Sequence, residues 1–177
     1  AARVADGVRA TVRNIRALYA ELGDGLIEIE SRGVHETYGY GSTAGMLSDL
    51  CRLPVGVARK LVDQAIATHP TRGVDGSVVS AVAPLTGAAV VEGVLGPEHV
   101  EVVLKVLRRL PSWLSEDQRA DAERILVELA RHTGPREVAG AGQKLLDTLD
   151  PDGPEPTDPE DPTDPRSWAA SPIDDEG

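Results

Sequence analysis

Residues 3–30 read RVADGVRATVRNIRALYAELGDGLIEIE, and this stretch decides the fold class. Val8, Val12, Ile15, Tyr19, Leu22, Leu26 and Ile29 recur within it at steps of 4, 3, 4, 3, 4 and 3. That spacing places seven apolar side chains along one face of a long helix. Such a seam either packs on its own domain or, being three heptads long, pairs with another helix as an interaction seam. Gly23 and Gly25 interrupt the helix formers at a cost of about 1 kcal/mol each relative to Ala. The helix is therefore expected to bend there, or another backbone to approach it closely.

Working outward, the rest of the first 150 residues repeats one device: an apolar helical pattern stopped and restarted by Gly and Pro. Arg32 to Gly41 reads as a loop. Ser42 or Thr43 can cap a second helix to about Cys51. Pro54 suits the first turn of a third, to about Thr68. Pro70 ends it, since proline disfavours helical geometry in the residue before it. Val78 to Leu85 is expected as a short helix or irregular turn, because no partner strand is evident for its valines. Thr86 is expected to cap a helix to about Leu95. Gly96-Pro97 restarts the chain into a helix with Val100, Val103, Leu104 and Leu107 facing inward. Ser115 with Gln118 forms a capping box that opens a helix to about His132. Gly134-Pro135 opens the last, which ends near Leu149. The expectation is an all-α fold of six to seven helices with a long N-terminal helix and helix-turn-helix-like pairs.

Composition agrees with one aliphatic core. The chain has 177 residues and no Phe, and 41% of its side chains are apolar. Its formal charge of -11 is unevenly spread. From Asp150 onward there are ten acidic residues and one Arg, a net of -9, so residues 1–149 carry only -2. Four Asp-Pro pairs mark that stretch, which has too little apolar surface to fold. Residues 1–150 are thus expected to form a helical domain and 151–177 a disordered Pro/Asp/Glu-rich tail or linker. The tail reads as a passive connection, with mimicry of DNA as the other reading. A single cysteine, Cys51, precludes an intrachain disulfide and fits a reducing compartment. Without a span of roughly 18 apolar residues or a signal-peptide pattern, the chain reads as cytoplasmic, with no membrane partner.

Catalytic chemistry is hard to find. His35, His69, His99 and His132 are far apart and read as surface or loop residues, with no HExxH or CxxC spacing to make a metal site. Cys51 reads as a buried structural thiol. No phosphate-cradling Gly pattern and no GxSxG elbow occurs, so no catalytic residue, cofactor or small-molecule ligand is expected. Two features can meet nucleic acid. Thr43 to Val62 has a helix-turn-helix outline, with Ala58 and Leu61 inward and Arg59 and Lys60 outward, although Arg52 holds the turn position where Gly is usual. Arg9, Arg13 and Arg16 share a face of the first helix and can contact phosphates. The Thr86 to Leu110 pair has a similar outline, but Glu98 and Glu101 argue there for packing or a protein partner.

The order of these signals resembles the actinobacterial domain of unknown function 222, also called the mycobacterial 13E12 repeat family. The resemblance rests on Arg32-Gly33 after the long helix, on Gly39-Tyr40-Gly41-Ser42-Thr43 with Met46-Leu47, and on Pro54 to Val62. It continues through Leu85-Thr86-Gly87-Ala88, then Gly93 to Val100, then Gly134 to Val138 and Leu149-Asp150-Pro151-Asp152-Gly153. It implies the helical N-terminal module of HNH-endonuclease-like proteins and hence a nucleic-acid context, with no catalytic residues of its own to carry over. Met46 stands where relatives often have Trp, and the loop from His69 to Leu85 is longer than usual. No HNH motif follows Gly153, and Asn14 is the only asparagine, so this chain is not expected to cut DNA. The expected function is a non-catalytic, nucleic-acid-associated accessory domain with DNA as partner. The alternative is a protein-interaction module that homodimerises through the first helix.

Overall fold

The computed structural model describes residues 2–72 and 76–150. The expected acidic tail, 151–177, lies outside the described residues. Among the described residues eight helices follow one another: α1 (Ala2–Ser31), α2 (Val34–Thr37), α3 (Thr43–Cys51), α4 (Val55–Thr68), α5 (Pro84–Val91), α6 (Pro97–Arg108), α7 (Glu116–Ala130) and α8 (Pro135–Leu149). The class is all-α, as expected. The eighth helix beyond the expected count is α2, one turn inside the loop after α1. It starts at Gly33, whose φ of 60° is a left-handed conformation that favours glycine.

Between α4 and α5 the expectation fails. The valines of the 78–85 segment do find a partner strand: β2 (Val78–Val79) pairs antiparallel with β1 (Thr71–Arg72), with Thr71 opposite Val79 and Arg72 opposite Val78. The pairing was illegible because β1 is a polar dipeptide with no alternating pattern to reveal it.

Helix α5 also differs from its expected bounds. It begins at Pro84, so Thr86 lies inside the first turn and is fully buried. The Ala83 N-cap has no side-chain acceptor. That role passes to Glu123 of α7, whose Oε1 accepts both the Thr86 N–H and the Thr86 Oγ1–H at 2.7 Å. A buried carboxylate at a helix N-terminus meets the positive end of the helix dipole and its unpaired N–H groups. Gly93, at φ 72°, ends the segment before Leu95. The expected caps elsewhere hold. Ser42 accepts from Gly45 N at 3.1 Å, and Ser115 and Gln118 form their reciprocal box.

Two aliphatic clusters make the interior. The smaller gathers Leu26, Leu47, Ala58, Val62 and Ala65 from α1, α3 and α4. The larger gathers Val90, Leu95, Val100, Val103, Leu104, Leu107, Leu126, Val127, Val138 and others, mainly from α5 to α8. Helix α4 belongs to both, through Ala65 on one side and Ala67 on the other. Glycines let helices touch where a methyl would not fit. A Cβ on Gly87 of α5 would fall on the Thr68 carbonyl oxygen of α4, and one on Gly142 of α8 would fall on Val106 of α6. One on Gly23 of α1 would lie 2.6 Å from the buried ring of His69. At Gly23 the close neighbour is thus the His69 side chain and not the expected backbone, while Gly25 faces open space.

Gly142→Ala is expected to destabilise the fold by about 1–3 kcal/mol, the usual range for overpacking. Gly140→Ala, with nothing within 4 Å of its Cβ position, is expected to stabilise by about 0.5–1 kcal/mol. Urea unfolding followed by circular dichroism reads both, and equal effects of the two would refute the close-packing account. Glu123→Ala is expected to cost about 1–3 kcal/mol, because it leaves the Thr86 donors buried without an acceptor.

Candidate functional site

Among the described residues the buried side of the long helix α1 lies in its second half. Ala20, Gly23 and Leu26 are buried there, and Tyr19 is half-buried with its hydroxyl donating to Gln64 Oε1 of α4 at 2.8 Å. Burial, with the Glu98 carboxylate nearby, holds the Tyr19 phenol well above the ordinary tyrosine range. Arg16 is the first side chain pinned from α1 to the body, donating to the Val94 carbonyl.

Before that point the helix runs on with its apolar side chains uncovered. Val4, Val8, Ile15 and Leu18 are 71%, 59%, 58% and 62% exposed, and Val12 and Leu22 are about 40% exposed. At 3.6 residues per turn, Val4, Val8, Thr11, Ile15, Leu18 and Leu22 fall within an arc of about 80°. Thr11 fits this stripe because its hydroxyl donates to the Gly7 carbonyl at 3.0 Å. Its methyl group remains free to pack. Beyond Leu22 the same side of the helix is covered, since Leu26 sits in the core with Leu47 and Ala58.

The seven-residue seam of the sequence is thus divided. Tyr19 and Leu26 pack inward with Ile29 partly covered, whereas Val8, Val12, Ile15 and Leu22 face outward. Val4 and Leu18 lie on the exposed stripe but outside the 4-3 pattern. Sequence reasoning missed them because it drew a single line of residues where the structure has two faces.

The candidate cations do not form one binding surface. Arg9 pairs with Asp6 on its own helix at 3.2 Å, and Arg16 is held by Val94. Lys60 donates to both carboxylate oxygens of Glu101 on α6, at 2.9 and 3.0 Å. Arg13 and Arg59 are exposed, with no ion pair among the described residues.

The helix-turn-helix outline is real in its turn. Arg52 takes the left-handed conformation, φ 54°, that glycine usually supplies, and Ser48 Oγ donates to the Leu53 carbonyl at 2.7 Å. Yet α4 is deeply embedded, burying Ala58, Val62, Gln64, Ala65, Ala67 and Thr68. Only its first turns and Asp63 and Ile66 reach solvent.

Other sequence expectations need correction. Cys51 is exposed rather than a buried thiol, because α3 buries Thr43, Met46 and Leu47 and then turns away at Arg52. His69 and His99 are buried rather than surface residues. His69 Nδ1 lies 3.1 Å from the Ala65 carbonyl, and its Nε2, 3.5 Å from Asp24, has no hydrogen bond among the described residues. His99 Nε2 meets the Thr133 carbonyl at 3.0 Å. Among the described residues no group of His, Cys, Asp and Glu could hold a metal ion, and no helix is long and apolar enough to cross a membrane.

An open cleft of about 940 Å³ lies among α4, α6, α7 and residues 80–84, floored by Ile66, Leu104, Leu107 and Leu110. Two of its polar side chains are engaged within the fold. Glu123 caps α5, and Arg119 donates to the Pro111 carbonyl at 2.7 Å. No histidine or cysteine lines it to act as base or nucleophile.

A family model described as "Domain of unknown function (DUF222)" matches residues 2–177. An uncharacterized protein of Mycobacterium tuberculosis (strain CDC 1551 / Oshkosh) is 29% identical over 126 residues, 71% of this chain and 30% of that protein. A second from this strain is 31% identical over 107 residues, covering 60% of this chain and 24% of its own length. An uncharacterized protein of Mycobacterium bovis is 28% identical over 113 residues, 64% of this chain and 25% of that protein. The chain therefore spans less than a third of the length of these relatives. No solved structure matches significantly.

Proposed function

We propose that this chain, which belongs to the DUF222 family, is a non-catalytic docking domain of a longer protein, working through the free half of α1. The observation that carries this reading is the continuous apolar stripe from Val4 to Leu22 on a helix whose remaining half is locked into the core. Isolated exposed apolar residues are ordinary on a protein surface, but a contiguous stripe marks a contact face. Helix-to-helix recognition uses this pattern of side chains three and four apart. Among the described residues neither aliphatic cluster includes these side chains, and of them Leu22 alone lines the small internal gap beside His69 and Val90.

A second reading, an accessory domain that helps an HNH-endonuclease-like protein hold DNA, is favoured by one feature. The tight α3–α4 turn leaves Arg59 exposed near the start of α4. Against it, Lys60 faces the Glu101 carboxylate and Arg16 is tied to a carbonyl, so few of the five cations are available to phosphates. In a longer relative the docking role and a nucleic-acid context are compatible, with this domain assembling the protein and another part meeting the nucleic acid.

Two measurements separate the readings. Combined Val8→Gln, Ile15→Gln and Leu18→Gln is expected to leave thermal stability, read by circular dichroism at sub-micromolar protein, within about 0.5 kcal/mol of the parent. A loss near the 2–5 kcal/mol typical of emptying a core position would mean that the stripe is packed intramolecularly, and the docking reading would fail. Fluorescence anisotropy of a labelled duplex is expected to show no tight binding at physiological salt. Binding that weakens steeply with salt and is lost with Arg59→Glu would instead establish the DNA reading.

A further inference from the structure

The exposed stripe of α1 has an internal symmetry. Val4 and Leu22, Val8 and Leu18, and Thr11 and Ile15 are pairs whose positions are mirrored about residue 13. A helix with this arrangement presents the same apolar profile read in either direction. Laid antiparallel against a copy of itself, it sets Val4 against Leu22, Val8 against Leu18 and Thr11 against Ile15 along its whole length, about 27 Å at 1.5 Å per residue. Self-complementarity of this kind is what a two-fold interface requires, since residue i must meet j wherever j meets i.

The charges beside the stripe select the same direction. Arg3 and Glu21 lie on one flank of it, and both are exposed. Neither has an ion-pair partner among the described residues. In an antiparallel pair the two-fold axis brings the Arg3 flank of one helix to the Glu21 flank of the other, at nearly the same height along the helix. In a parallel pair the two Arg3 side chains would lie on opposite flanks of the seam, and Arg3 of one helix would stand about 27 Å along the axis from Glu21 of the other, out of reach. The same flank carries Gly7, Ala10 and Ala17, which leave room for close approach of a second backbone. Ala20 and Gly23, which face the core, lie about 160° and 100° round the helix from the middle of the stripe, so each domain body sits to one side of the pairing face and crosses onto it past Leu22, where Leu26 is buried.

We propose that the occupant of the α1 stripe is a second copy of this chain, paired antiparallel with Val8 of one copy against Leu18 of the other. This inference rests on the docking reading above and names its partner. The pairing face is shorter than a standard permanent interface, so the dimer is reversible and concentration-dependent.

Disulfide trapping on the 177-residue chain tests it, with the exposed Cys51 first replaced by Ser to remove its background. Val8→Cys with Leu18→Cys is expected to give a covalent dimer under mild oxidation. The two sites are about 15 Å apart on one helix, too far for an intrachain bond. Val8→Cys alone is expected to remain monomeric. Cross-linking of Val8→Cys alone would show a parallel pair and overturn the proposal. So would failure of the double variant to cross-link while sedimentation shows a monomer at every concentration. That second outcome is distinguishable from failure of the docking reading, which shows in the stability of the glutamine variant and not in cross-linking. Arg3→Glu is expected to weaken self-association by about fivefold, the scale of an exposed ion pair. Adding Glu21→Arg in the same chain is expected to restore it, and lack of restoration would overturn the antiparallel register.

Discussion

The missing side chain of Gly87 is the constraint on which the rest of the domain depends. It lets the N-terminal part of α5 lie directly on the last turn of α4, with the Thr68 carbonyl where a Cβ would stand. The Ala83 N–H donates to the Ala67 carbonyl at 2.8 Å across the same junction. Helix α4 thereby becomes the wall shared by two aliphatic clusters, one reaching back to α1 and α3, the other forward to α6, α7 and α8. Closing the junction buries the N-terminus of α5, whose unpaired donors then require an acceptor. Glu123 supplies it from α7, so one close helix contact dictates a buried carboxylate thirty-six residues after Gly87.

A second consequence concerns what is left outside. With α4 enclosed on several sides, the helix-turn-helix outline cannot offer its second helix freely to a groove. Its cationic face is reduced to Arg59 and an ion-paired Lys60. The second half of α1 seals the smaller cluster through Leu26 and reaches α4 through Tyr19 and Gln64. Gln64 in turn donates to the Pro97 carbonyl at 3.0 Å, tying α1 and α4 to the start of α6. Among the described residues no element covers Val4, Val8, Ile15 and Leu18 on the first half of α1, and these apolar side chains stay in water. A helix held firmly at one end and uncovered at the other is a suitable scaffold for docking, because little conformational entropy is lost when a partner arrives.

Sequence by itself determined most of the helices and their punctuation, with α2 and the start of α5 as the exceptions. The 3.5-residue spacing of α1, the Gly96-Pro97 and Gly134-Pro135 restarts, and the Ser115 box are local signals, set by backbone dihedrals and by hydrogen bonds within one turn. The inward residues of α6 were legible for the same reason, since Val100, Val103, Leu104 and Leu107 define one helical face. Only the tertiary structure decided what depends on residues far apart in the chain. It alone could supply Glu123 as the cap of α5, find a partner for Val78 and Val79 in a polar dipeptide, and bury His69 against Gly23. It alone could divide the α1 seam into a packed half and a free one. Periodicity reports that a helix has an apolar face. Which part of that face is covered depends on where the other helices end, and that is fixed by packing across the whole domain.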